Sequence, residues 1–101
     1  MSAKIAIPKD AIAAFCRRQH IRRLALFGSV LREDFTPESD VDVLVEFEPG
    51  TRVGFFELYD IEQELSGILG GRKVDIHTPS SLSKYFRDQV MQEAEEQYVK
   101  T

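Results

Sequence analysis

Gly28-Ser29, Asp40, Asp42 and Asp75 are the residues whose types and spacing can do chemistry together in this chain. The stretch LALFGSVLREDFTPESDVDVLVEF, residues 24–47, runs from an apolar segment through a Gly-Ser turn and a polar interval. It ends in two aspartates that lead a second apolar segment. Carboxylates at the head of a buried strand are costly unless something positive sits against them. Side chains two apart on a strand share a face, so Asp40, Asp42, Leu44 and Glu46 are expected on one face and Val41, Val43, Val45 and Phe47 on the other. The two aspartates then stand roughly 6.5–7 Å apart along the strand, close enough to touch one metal ion. In KVDIHT, Asp75 faces away from Val74 and Ile76, together with Lys73 and His77. If that strand lies beside the other, three carboxylates cluster, and without cations at least one is expected to hold its proton above the ordinary range. Magnesium, which prefers oxygen ligands and phosphate, suits such a cluster. Two ions about 3.5–4 Å apart would clamp the attacking and leaving oxygens of a phosphoryl-type transfer.

Gly28-Ser29 supplies the other half of that chemistry. Glycine lets a backbone approach a ligand closely, and a hydroxyl beside free N–H groups at a strand-to-helix turn suits phosphate oxygens. Each piece alone has a blander reading: a Gly-Ser pair is usually a turn, and a D-x-D is usually surface acid. The conjunction carries the argument: a strand ending in Gly-Ser, a ten-residue interval, D-x-D opening a strand, and a later strand with one carboxylate on the matching face. An EF-hand reading of DFTPESDVDVLVE fails for want of the glycine and oxygen ligands at the required offsets, and a Walker-type phosphate loop is absent.

The elements that must position these residues follow from the pattern. Pro8 and KDAIAAFCRRQH predict a first helix with cations near its end. RLALF predicts a strand, GSVLRED a brief helix, FTPESD a loop, and the β-branched, alternating VDVLVEF a strand. FFELYDIEQELSGIL carries a helical apolar stripe that stops at Gly70-Gly71. KVDIHT predicts a third strand cut by Pro79, and SLSKYFRDQVMQEAEEQYV a last helix capped by Ser80 or Ser81. Strands alternating with helices over 101 residues predict one small α/β domain spanning 1–101.

Composition narrows the function. With 43% hydrophobic and 30% charged residues and no apolar run long enough to cross a bilayer, a globular chain without a membrane partner is expected. The opening residues lack the pattern of a signal peptide, and the single Cys16 excludes an internal disulfide, so a cytoplasmic location is expected. A net charge of -4 argues against extended nucleic acid as a partner but leaves a small anion such as a nucleotide open. The cluster Arg17, Arg18, Arg22 and Arg23 is read as solvated surface rather than an anion site.

The GS-x10-DVD signature resembles that of the DNA polymerase β-like nucleotidyltransferase superfamily. The small size and the ending VDIHTPSSLSKYFRDQVMQEAEEQYV are similar to its minimal nucleotidyltransferase (MNT) branch, the antitoxin partners of HEPN-type toxins. The resemblance implies a nucleotidyltransferase fold of α+β type, a short mixed β-sheet packed by about four helices. It implies that Gly28 and Ser29 contact phosphate, that Asp40 and Asp42 bind metal and that Asp75 is the third carboxylate. Arg32 matches the arginine that follows Gly-Ser in the family and is expected at a phosphate, whereas Glu33 stands where a glycine is usual. The implied activity is transfer of AMP from ATP, with magnesium, onto a tyrosine of the toxin, silencing its RNase activity. A chain of this length leaves little room for an acceptor domain, which favours a protein substrate. The alternatives are a nucleotide-binding antitoxin that inhibits by occlusion alone, and a small-molecule nucleotidyltransferase.

Other residues receive structural readings. His77 shares the predicted face of Asp75 but is read as a satisfied structural histidine, His20 as the end of the first helix, and Cys16 as a core residue. Phe55, Phe56, Leu58 and Tyr59 are expected to be mostly core, with Phe56 or Tyr59 left for a partner surface. The acidic QEAEEQ is expected to be a solvated helix face.

Overall fold

The computed structural model describes residues 5–33, 35–85 and 87–100. The first helix, α1 (Lys9–Arg18), starts after Pro8, carries Asp10 in its first turn and Arg17 and Arg18 in its last, and buries Ile12, Phe15 and Cys16. These charges complement the helix dipole at both ends. The chain reverses at His20, which adopts φ 58°, and enters strand β1 (Ile21–Phe27). A 3-10 turn over Gly28–Leu31 follows, then β2 (Val41–Phe47). Helix α2 (Phe55–Ile68) ends where Gly70 and Gly71 take φ of 82° and 84°, the left-handed geometry that stops a helix. Strand β3 (Val74–His77), a 3-10 turn at Pro79–Ser81, helix α3 (Arg87–Glu93) and strand β4 (Glu95–Val99) complete the order.

The four strands form one mixed sheet in the order β3-β2-β1-β4. β1 pairs antiparallel with both β2 and β4, while β2 and β3 run parallel, joined by the α2 crossover. One face of the sheet, with Leu24, Leu26, Val41, Val43, Val45, Val74 and Ile76, packs against α1 and α2 in the main core. The opposite face holds a smaller cluster of Ala25, Leu44 and Leu82, against which Phe27, Val90, Met91 and Ala94 pack.

Two expectations are corrected. The last helix does not run on from Pro79: after a short α3 the chain extends, and β4 closes the open edge of β1, with Leu24 opposite Tyr98 and Ala25 opposite Glu96. EAEEQ favours a helix locally, but the unpaired edge of β1 offers a ladder of hydrogen bonds and Tyr98 packs on the core. Phe86, inside the expected helix, lies outside the described residues. The α-helices among the described residues therefore number three rather than about four. Phe55 and Phe56 are not core: they are 92% and 87% exposed, and Tyr59 is 60% exposed, because the buried stripe of α2 is Ile61 and Leu65. Arg17, Arg18 and Arg22 are exposed as expected, whereas Arg23 is partly buried; Arg22 and Arg23 pair with Glu46, Arg23 also with Glu96, and Arg18 with Glu64.

Candidate active site

The sheet register builds the site. Phe27 is the last residue of β1 and lies opposite Asp42, while Asp42 lies opposite Asp75 on β3. Alternation along β2 and β3 sends Val41, Val43, Val74 and Ile76 into the core, which leaves Asp42, Asp75 and His77 on the other face. Asp75 therefore meets Asp42 as the sequence pattern requires.

Gly28 shows why this turn begins with glycine. Its φ is 77°, and a Cβ built there would stand 2.6 Å from Asp42 Oδ2. Both the backbone conformation and the carboxylate exclude a side chain. The Gly28 backbone is thus pressed against Asp42, and the 3-10 turn starts beside the carboxylates. The Ser29 hydroxyl donates to the Asp40 carbonyl at 3.4 Å, tying the turn to the residue that precedes β2. Asp40 itself lies just outside the strand, with its carboxylate 3.9 Å from the exposed Lys73 amine.

The group that converges is Asp42, Asp75 and His77, whose donor atoms all lie within 4.8 Å of one another. His77 Nε2 is 3.4 Å from Asp42 Oδ1 and 3.5 Å from Asp75 Oδ2. The nitrogen is buried yet makes no hydrogen bond, and the ring is held edge-on against Phe27, centroids 5.3 Å apart. Burial pushes the Asp42 carboxyl above its ordinary range. His77 pulls it back, and the neighbouring charges of Asp75 and Asp40 push it up further. Two carboxylate oxygens and an imidazole nitrogen facing one point are a donor set that fits a divalent cation.

A groove of about 390 Å³ opens beside Asp42, between the Gly28-Ser29 turn and α3, lined also by Arg32, Gln89, Val90 and Glu93. It continues along Leu31, Arg32 and Gln92 in a second hollow of about 430 Å³. Gly28, Ser29, Arg32 and Asp42 therefore share one cleft, whereas Asp40 and Asp75 do not line it; Asp75 is tied to it by pairing opposite Asp42, and Asp40 by the Ser29 hydroxyl. A larger hollow of about 520 Å³ near Ile7, Ile68 and Arg72 is mostly apolar and brings no carboxylates together. Sequence reasoning missed two parts of the site. His77 was read as structural although its spacing from Asp75 placed it on the right face, and the cleft wall on α3 carries no motif at all.

Comparison with known proteins agrees with this geometry. The nucleotidyltransferase domain family matches residues 9–96. A Methanocaldococcus jannaschii protein, by name a protein adenylyltransferase, is 31% identical over 86 residues, which is 85% of this chain and 89% of that one. The solved structure of a minimal nucleotidyltransferase is 36% identical, covers 85% of each chain and superposes with a TM-score of 0.69. A toxin–antitoxin complex with AMP-PNP shares the fold at 20% identity, over 94% of this chain and 76% of that one, with a TM-score of 0.73. With the match spanning nearly its whole length and the same sheet beneath its carboxylates, the chain belongs to the nucleotidyltransferase domain family, among the minimal nucleotidyltransferases.

Proposed function

We propose that this chain is a single-domain protein adenylyltransferase that transfers AMP from ATP to a tyrosine of a HEPN-type toxin and so neutralises it as an antitoxin. The observation that carries the reading is the Gly28 backbone packed on Asp42, with Asp75 abreast, at the mouth of the cleft. A relative 31% identical over 86 residues is by name a protein adenylyltransferase, and the toxin–antitoxin complex with AMP-PNP supports a toxin and ATP as partners.

In this reading the cleft along Gly28, Ser29 and Arg32 receives the triphosphate. The bare Gly28 backbone allows close approach, and Arg32 offers its guanidinium to a phosphate oxygen. Asp40, Asp42 and Asp75 would hold magnesium, which would supply charge neutralisation on the phosphates and on the attacking oxygen. The tyrosine oxygen attacks the α-phosphorus, the bond to the β-phosphate oxygen breaks, and pyrophosphate leaves. The phenolic proton passes to Asp75, the most exposed of the three carboxylates, and from there to water. Most of the rate comes from holding the phosphates in line and compensating their charge.

The test is intact-mass analysis of a HEPN-type partner toxin incubated with this chain, ATP and magnesium. The expected result is mass added in AMP steps, lost when Asp40→Asn and Asp42→Asn are combined. A stable complex that blocks the toxin with no mass added would replace this reading with inhibition by occlusion.

A further inference from the structure

We propose that His77 Nε2 is a direct ligand of the ion shared by Asp42 and Asp75, and that this nitrogen makes the site prefer manganese to magnesium. The inference rests on the metal-dependent reading above and names which ion that site selects.

Geometry comes first. Separations of 3.4 and 3.5 Å from Nε2 to the two carboxylates are longer than a good hydrogen bond. The nitrogen is buried and makes none. Neighbouring donors around one octahedral ion at roughly 2.0–2.1 Å sit about 3 Å apart, so an inward movement of the two carboxylates, whose oxygens now lie within 4.8 Å of each other and of Nε2, completes the set. The imidazole is already in place: β3 fixes its backbone, and the edge-on contact with Phe27 limits its swing.

Charge and ligand type come next. Two carboxylates with a neutral imidazole balance one divalent cation. An all-oxygen site suits magnesium, whereas a nitrogen donor shifts preference toward first-row transition metals, among which manganese shares magnesium's compatibility with carboxylates. Magnesium surrenders its waters reluctantly and gains little from nitrogen.

The test uses the full chain and the metal alone, without nucleotide. Titration with Mn2+, followed by loss of the free-ion electron paramagnetic resonance signal, gives the affinity. Competition with Mg2+ gives the preference, and spin-echo modulation from imidazole nitrogen reports direct ligation. Wild type is expected to bind Mn2+ at least tenfold more tightly than Mg2+ and to show the nitrogen modulation. His77→Gln is expected to weaken Mn2+ binding by about tenfold or more, to change Mg2+ binding less than threefold, and to lose the modulation. His77→Asp, which restores an oxygen donor, is expected to shift the preference back toward Mg2+. Asp42→Asn should abolish binding of both ions. Mn2+ affinity within threefold of wild type in His77→Gln, or no nitrogen modulation in wild type, overturns the His77 assignment while leaving the metal site intact. Wild type that binds neither ion, or Asp42→Asn that binds as wild type does, overturns the underlying reading instead.

Discussion

At the scale of single residues, Asp42 bears the cost of the site. It is partly buried, hemmed in by the Gly28 backbone, and faces the charges of Asp75 and Asp40. Its raised pKa means the folded chain holds this proton more tightly than the unfolded chain does. The stability linked to it is present below the ordinary aspartate range and is lost as pH rises through the folded value. Above that range the carboxylate destabilises the metal-free fold. Asp42→Asn at pH 8 should therefore raise the metal-free Tm by about a few degrees, and remove any rise in Tm on adding magnesium and ATP. Differential scanning calorimetry with and without ligand checks both; a Tm below wild type in the ligand-free protein would contradict the strain. Of these residues, Gly28, Ser29, Asp42 and Asp75 were legible because strand alternation and the Gly-Ser turn fix their faces without tertiary knowledge. The closeness of His77 was not, since it depends on the β2–β3 register, which the spacing within β3 does not contain.

At the scale of elements, the cleft owes its second wall to α3, and β1 owes its second paired edge to β4. β2 and α2 were legible in the sequence, through the β-branched alternation of VDVLVEF and the Gly70-Gly71 stop. β4 was hidden because its glutamates and glutamine carry a helical preference that pairing with β1 overrides. The pairing is reinforced where Arg23 reaches Glu46 on one side at 2.9 Å and Glu96 on the other at 2.7 Å, crossing three strands. Truncation after Ala94 should expose the β1 edge and lower the Tm by at least about 10 °C, with self-association visible by size-exclusion chromatography because an unpaired edge templates pairing. A monomeric truncated chain with unchanged melting would show that β4 contributes nothing to the sheet.

At the scale of the whole molecule, the sheet separates stability from function. The main core under α1 and α2 holds the fold, and the smaller cluster around Leu44 and Leu82 holds α3 over the cleft. Leu65→Ala and Leu44→Ala each remove a fully buried leucine and should each cost about 2–4 kcal/mol. Only Leu44→Ala should also weaken ATP binding, by loosening the cleft wall; urea unfolding and nucleotide titration of both variants check this, and equal loss of affinity in the two would contradict the separation. The exposed Phe55 was misread at this scale, because an apolar stripe in a sequence does not say which turn of the helix the core covers, whereas Phe56 and Tyr59, the two residues considered for a partner surface, are both exposed. The parallel β2–β3 pair sets an order of events for a chain leaving the ribosome. The β1–β2 hairpin can bring Gly28 and Asp42 together from neighbouring sequence, whereas Asp75 and His77 arrive only after the α2 crossover has closed. The nascent chain therefore brings Gly28 against Asp42 first and gathers Asp75 and His77 beside them only later.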